Sequence, residues 1–473
     1  MTSDERRCFT HFQFHTAPTL LEFFDSALWQ NLVLQLSQSE PPVYHAIIAL
    51  SAIHENSEAN GMPLATNRAD NPWYQFAEDQ LARSIKLINQ HHTSQDPRLR
   101  EVILVCCLLF VLADLLRGLY ENAFVHLRSG LRILKDLQST SVSSTIDVDC
   151  ILAAFSQLDI SAAHYDRNFP ILLADDQHST KPHFQTLNEA RIAFDAVIGA
   201  VYDFSAPCAG MTEEQVQANY PTLQTRQHAV WGQLTQFKTS FQEFYQTSYH
   251  TLSLKEQRGA EIISLRLISL PVCLQTCLLS KNNPTRAHYT PDLDRVCTMA
   301  ERIMNMFPSP DRPSFTVEVG VIPPLHLAAR ACADYGVRWR AIQLLRSWPH
   351  REGPFDSNWL ASLSEEALRL DLQSQCIENP EFGATTFIVS GEVISAADML
   401  QRLTTHREEK IDMLLRTKRL DRIPDTGECD PLAAVGPVKG MASWSCIRAF
   451  KAGKYSHRDA TAVATAAAMN TSL

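Results

Sequence analysis

Residues 102–116, VILVCCLLFVLADLL, are apolar on nearly every side of a helix drawn through them, and no other stretch constrains the fold as much. A helix with almost no polar face has to be enclosed by other helices or by lipid. Its uncharged part, 102–113, is too short to span a bilayer and Asp114 ends it, so the enclosing material is protein. Gly118 then offers a turn. Beyond it Ala123, Leu127, Leu131 and Leu134 recur at spacings of four, four and three, which lines one stripe of a second helix. The two segments read as an antiparallel helical hairpin.

Helix signals continue along the chain. Asn71, Asp96 and Thr290 each precede a proline, which places a capping side chain before a proline at the first helical position. Ser253 with Glu256, Thr186 with Glu189, and Ser362 with Glu365 fit the capping box. After Thr186, the residues Ala190, Phe194, Val197, Ile198 and Val201 form another stripe. Helices are expected over 151–165, 226–249, 254–280, 293–306, 324–333, 338–348 and 365–373, with Pro271 kinking or breaking the third. Glycine is scarce, 16 in 473 residues, where roughly 7% is average, and this also favours helix over sheet. No fixed-period repeat is visible, which argues against a solenoid. Residues 385–389 and 392–394, split by Ser390-Gly391, fit a short hairpin or a helix end equally well. The expected fold is all-α: a single large irregular multi-helix domain with antiparallel helix pairs over 16–426. Residues 1–15 lead into it, and 427–473, without a clear period, read as an irregular or disordered tail.

Charge and cysteine usage narrow the function. A net charge of −10 gives no basic footprint for nucleic acid, so direct nucleic-acid binding is not expected. No membrane segment and no secretory leader is legible. The 12 cysteines are scattered, several among apolar residues, which suits a reducing compartment. The run 414–422 is weakly basic and reads as a solvated face. Cys8, His11 and His15 have a metal-like spacing, but Phe9, Phe12 and Phe14 interleave them as in a segment docked on a helical body; no metal and no cofactor is expected. Nucleophile-elbow, dinucleotide, phosphate-loop and zinc-protease motifs do not occur. Asp159 and His164 lie five residues apart, on different sides of a helix, and are not read as a catalytic pair. His126 sits beside the buried stripe of its helix, where an interfacial role is the simplest reading.

Three stretches taken in order resemble the regulatory domain of fungal zinc-cluster transcription factors, the fungal-specific transcription factor domain. They are 16–55 (TAPTLLEFFDSALWQNLVLQLSQSEPPVYHAIIALSAIHE), 100–134 (REVILVCCLLFVLADLLRGLYENAFVHLRSGLRIL) and 332–357 (CADYGVRWRAIQLLRSWPHREGPFDS). The resemblance extends over about 12–371. In its last part the chain keeps Cys332, Asp334, Arg338, Arg340, Arg351, Glu352, Gly353, Asp356 and Ser357, with Phe355 where tryptophan is usual. It implies an all-helical domain, in the nucleus, that controls a linked DNA-binding finger. That finger needs six clustered cysteines sharing two zinc ions, and the present cysteines form not one CxxC pair.

The expected function is therefore that of a transcription-factor-like regulatory protein without its own finger. It would act through protein partners, a homodimer or a zinc-cluster transcription factor, on a metabolic pathway, in the nucleus or, without an import partner, in the cytoplasm. The alternative is a metabolite-binding protein or secondary-metabolism enzyme of cyclase or isomerase type, or a domain taking a small hydrophobic effector. No catalytic residue is assigned. Asp334, Arg338, Arg340, Arg351 and Glu352, close in sequence to Trp339, Trp348 and Phe355, are expected to form either a structural ion-pair network or an effector site.

Overall fold

The computed structural model describes residues 2–63, 71–90, 97–139, 148–165, 170–172, 183–208, 211–280, 283–308 and 312–405. Asp96, the basic run 414–422 and the tail 427–473 lie outside the described residues.

The N-terminal half is built on two enclosed helices. Helices α1 (Ser3–His11) and α3 (Val33–Ser39) and a π-helical turn at Phe12–Thr16 pack on α4 (Pro41–Ala59), while α2 (Ala17–Leu20) packs on that turn, on a second π-helical turn at Leu28–Leu32 and on residues 315–316. Buried residues of α4 run unbroken from Ala46 to His54. Next come α5 (Pro72–Gln90), α6 (Pro97–Leu116) and α7 (Tyr120–Ser139). Helix α6 is the all-round apolar segment, and α4 and α7 both cover it. Gly118, at φ 69°, turns the chain between α6 and α7. Its N–H donates to the Leu115 carbonyl and that of Leu119 to the Asp114 carbonyl, so the helix end closes without unpaired groups there. Among the aromatic residues near the N-terminus, Phe12 is fully buried while Phe14 is 64% exposed, so only part of that segment docks on the body.

The chain continues through α8 (Val148–Ala162), α9 (Leu187–Cys208), α10 (Glu213–Ser248), α11 (Leu254–Thr276), α12 (Thr290–Asn305), α13 (Ile322–Ala331), α14 (Tyr335–Ser347), α15 (Ser357–Glu378) and α16 (Ala396–Thr404). The Ser253–Glu256 capping box is present at the start of α11. Pro271 lies inside α11 and does not break it: the buried faces on both sides of the proline outweigh one lost backbone bond. Two local expectations fail. Ser362 and Glu365 sit inside α15, whose N-cap is Asp356, accepting from Trp359 N–H at 2.9 Å. Thr290 is the first residue of α12 rather than its cap, because a 3-10 turn at Pro284–Tyr289 leads directly into the helix.

Two small sheets interrupt the helices. Strands β1 (Phe315–Thr316), β2 (Arg351–Glu352) and β3 (Phe355–Asp356) form one, with β1 parallel to β2 and β2 antiparallel to β3. Strands β4 (Thr386–Val389) and β5 (Glu392–Ser395) form an antiparallel hairpin. Ser390 (φ 51°) and Gly391 (φ 86°) make its turn, the paired left-handed geometry that matches strand twist. The described part of the chain is thus all-α apart from these short strands.

Candidate functional site

The five candidate residues Asp334, Arg338, Arg340, Arg351 and Glu352 make their contacts with different elements. Asp334 caps α14, accepting from Val337 N–H at 2.9 Å. Arg338 donates to the Ala329 carbonyl of α13 at 3.0 Å and to Asp371 of α15 at 2.9 Å, with its guanidinium over the Tyr335 ring. Arg340 points the other way, to Asp294 (2.9 Å), Thr298 (3.2 Å) and Glu301 (2.8 Å) of α12. These carboxylates are half-exposed, so solvent weakens the attraction.

Arg351 and Glu352, adjacent on β2, are both buried and act on two opposite helix ends. Arg351 donates to the carbonyls of Leu115 and Leu116 at the C-terminus of α6, and to the Pro63 carbonyl at 3.0 Å. A cation there complements the negative end of the helix dipole. Its Nε also holds Asp356 at 2.8 Å. The Glu352 carboxylate accepts from the N–H groups of Gly320 (2.8 Å), Val321 (2.7 Å) and Ile322 (3.0 Å), where α13 begins. Pro323 and Pro324 have no N–H to satisfy, so Glu352 and these prolines together complete that helix terminus. His350 adds a contact of 3.0 Å to the same carboxylate. A Cβ at Gly320 would lie 2.8 Å from Glu352 Oε1, so glycine is what lets the carboxylate approach. Arg351 thus braces the C-terminal half against the N-terminal half, while Glu352 ties β2 to the start of α13 within the C-terminal half.

A second group of charges, which no motif announced, surrounds a cavity of about 40 Å³ between α8, α9, α11 and the segment after β1. Arg191 and Asp195 reach it from α9, Arg266 from α11, and Glu318 from the segment after β1. Arg191 pairs with Glu318 at 3.3 Å, and Arg266 donates to the Tyr202 hydroxyl at 2.9 Å. Arg191 Nε and Glu318 Oε2 have no hydrogen-bond partner among the described residues. Burial pushes the Glu318 carboxyl up to about 7, against the opposing pull of Arg191. Burial raises Asp195 as well, with Arg191 and Arg266 opposing. The sequence signal was available: each buried charge interrupts an apolar run, as Arg266 does in IISLRLISL and Glu318 in FTVEVGV. A water needs about 10–15 Å³, so this cavity accommodates two or three. None of the five residues from 334–352 lines it.

The remaining candidates take structural positions. Asp159 accepts from the N–H groups of Ile171 and Leu172, and burial raises its carboxyl to about 6. His164 lies in the turn after α8, its ring 4.0 Å edge-on to Tyr202, and burial lowers it to about 3. His126 stands 3.8 Å from Asp114 and against the Phe110 ring. Cys8 is buried in the core, while His11 and His15 stack on each other. Among the described residues no group of three His, Cys, Asp or Glu side chains has metal-binding geometry, and no helix is long and apolar enough to cross a membrane.

Comparison with known proteins adds three findings. Residues 7–243 match the family model described as the fungal specific transcription factor domain. The chain is 22% identical over 364 residues to the aspercryptin biosynthesis cluster-specific transcription regulator atnN of Emericella nidulans, covering 57% of this chain and 59% of that protein. It is 25% identical over 109 residues to the transcription regulator lscL of Purpureocillium lilacinum, covering 23% and 26%. The matches thus span about three-fifths and about a quarter of those relatives. No solved structure matches. The brace at 351–352 lies beyond the stretch matched by the family model, which takes in the enclosed helices α4 and α6. With half its length matched and an all-helical body around those helices, the chain belongs to the fungal specific transcription factor domain family.

Proposed function

We propose that this chain is a regulatory protein of fungal secondary metabolism that acts on transcription through protein partners, while another module contacts DNA. The observation that carries the reading is the family match together with a relative named as a cluster-specific transcription regulator. The acidic balance and the absence of clustered cysteines from these 473 residues support assigning DNA contact elsewhere. The partner is a second copy of the chain or a zinc-cluster transcription factor, and the site of action is the nucleus. The enzyme reading has less support from the cavity at Arg191 and Glu318. Its roughly 40 Å³ is far below the approximately 300–1,000 Å³ of pockets that enclose drug-sized ligands.

Deletion of the gene followed by transcript profiling tests the proposal. Loss of transcripts from one set of biosynthetic genes is expected. Intact transcripts with an accumulating pathway intermediate would overturn it in favour of an enzyme. Sequence-selective binding of duplex DNA by the purified chain, with a steep salt dependence, would overturn the assignment of DNA contact to another module.

A further inference from the structure

The cavity between α8, α9, α11 and the segment after β1 holds a buried donor and a buried acceptor that nothing in the protein matches. Arg191 and Glu318 line it and are 7% and 5% exposed. They pair through Nη1 and Oε1 at 3.3 Å, which leaves Arg191 Nε and Glu318 Oε2 without a hydrogen-bond partner among the described residues. Buried polar atoms are normally paired, by protein or by an ordered molecule. A second guanidinium, Arg266, donates to the Tyr202 hydroxyl at 2.9 Å and lies over the rings of Phe194 and Tyr202. Asp195 completes the charged lining, and Ile198, Ile262 and Val317 supply an apolar wall. Gln157, Ile160 and Asp195 are only half-buried, so among the described residues the cavity meets solvent between α8 and α9.

Size and charge select the guest. Space for two or three waters is space for roughly three or four non-hydrogen atoms. Arg191 and Arg266 bring two positive charges, and Asp195 and Glu318 two negative ones. A proton on Glu318, whose carboxyl burial raises to about 7, leaves one positive charge in surplus, and a single carboxylate cancels it. A cation or a dianion would leave the interior charged, at high cost in desolvation. Of the other groups nearby, His164 stands edge-on to Tyr202 and stays neutral because burial lowers it to about 3, while Lys255 is held by Asp25.

We propose that this cavity is a binding site for a small monocarboxylate of formate or acetate size, taken up together with one proton. One carboxylate oxygen accepts from Arg191 Nε–H and the other from the protonated Glu318 carboxyl, so both unmatched atoms gain a partner. The carbon that acetate adds rests against the apolar wall. Binding is strongest below pH 7, where Glu318 carries its proton, and weakens about tenfold per pH unit above it. The occupant joins α9 to the segment after β1 and, by binding only the folded chain, stabilises it.

The test titrates the full chain with sodium acetate, sodium chloride or acetamide at matched ionic strength, at about pH 6 and about pH 8, and reads the melting temperature and saturation-transfer NMR of the guest. Acetate is expected to give a saturable rise in Tm at pH 6 and to bind about tenfold more weakly at pH 8. Glu318→Gln presents an amide N–H₂ at every pH, so its acetate affinity should be alike at both. Arg191→Gln should weaken binding about tenfold or more, the loss of one hydrogen bond to a charged group. The proposal is overturned if acetate gives no saturable effect on the parent, or if chloride or acetamide binds as well as acetate. It is equally overturned if Glu318→Gln keeps the pH dependence of the parent. The parent's own titrations decide the matter even where a variant fails to fold.

Discussion

Replacing Glu352 tests whether its carboxylate holds the start of α13 against β2. The carboxylate is fully buried and accepts three backbone N–H groups at 2.7–3.0 Å, in addition to His350. Hydrogen bonds to a charged group contribute about 1.5–3 kcal/mol each. Truncation to alanine leaves three donors without an acceptor at the start of α13, although water entering the space offsets part of the loss. Glu352→Ala should therefore cost about 4–5 kcal/mol, at the upper end for a single substitution. Glu352→Gln keeps the shape and one carbonyl oxygen but turns an amide N–H₂ toward a backbone donor, and should cost about 2–3 kcal/mol. Urea denaturation followed by circular dichroism measures both, and hydrogen exchange of the amides of residues 320–322 reports the local opening. The reasoning is refuted if Glu352→Ala lies within about 1 kcal/mol of the parent, below the cost of a single lost bond to a charged group. It is also refuted if alanine and glutamine variants are equally stable.

Arg351→Ala should destabilise by about 2–4 kcal/mol, mainly by uncapping the α6 carbonyls, because Asp356 retains its bond from Trp359. Arg351→Lys should recover little, since an ammonium cannot reproduce the planar fork, and thermal melts rank the three proteins. Gly130→Ala would place a Cβ 2.3 Å from two ring carbons of Phe155. The overpacking, about 1–3 kcal/mol, should exceed a helix-propensity gain of about 1 kcal/mol, and adding Phe155→Leu should relieve it in a double-mutant cycle. Glu318 has a carboxyl at about 7 against an ordinary 4.5, so the folded state holds that proton more tightly than the unfolded one. Its contribution is therefore most favourable below pH 4.5 and declines as pH rises to about 7. Glu318→Gln should accordingly gain stability relative to the parent between about pH 5 and pH 8, and denaturation midpoints across that range check the sign.

Helix content, several caps and the α6–α7 hairpin were legible because their causes lie within a few residues of one another. The stripe Ala123, Leu127, Leu131 and Leu134 needs only helical geometry, and Ser253 finds Glu256 three positions away. The local reading erred where tertiary burial overrode it. Ser362 and Glu365 were claimed by a helix already started at Ser357, and of the two outcomes open to Pro271 the break is excluded by packing on both sides of it in α11. The Ser390-Gly391 turn fitted two local structures, and pairing of Phe387 with Ile394 on the buried side settled it as a hairpin.

The sequence by itself determined that this chain forms helices, that one of them must be enclosed, and which charged residues near its end share a short segment. Only the tertiary structure decided what those charges do. Arg351 meets Leu115, Leu116 and Pro63, and Arg191 meets Glu318, across separations far longer than any helical or strand period. A local pattern sets which face of an element is apolar. It does not name the partner of a buried charge, because that partner is fixed by the packing of whole helices and by the need to satisfy each polar group removed from water.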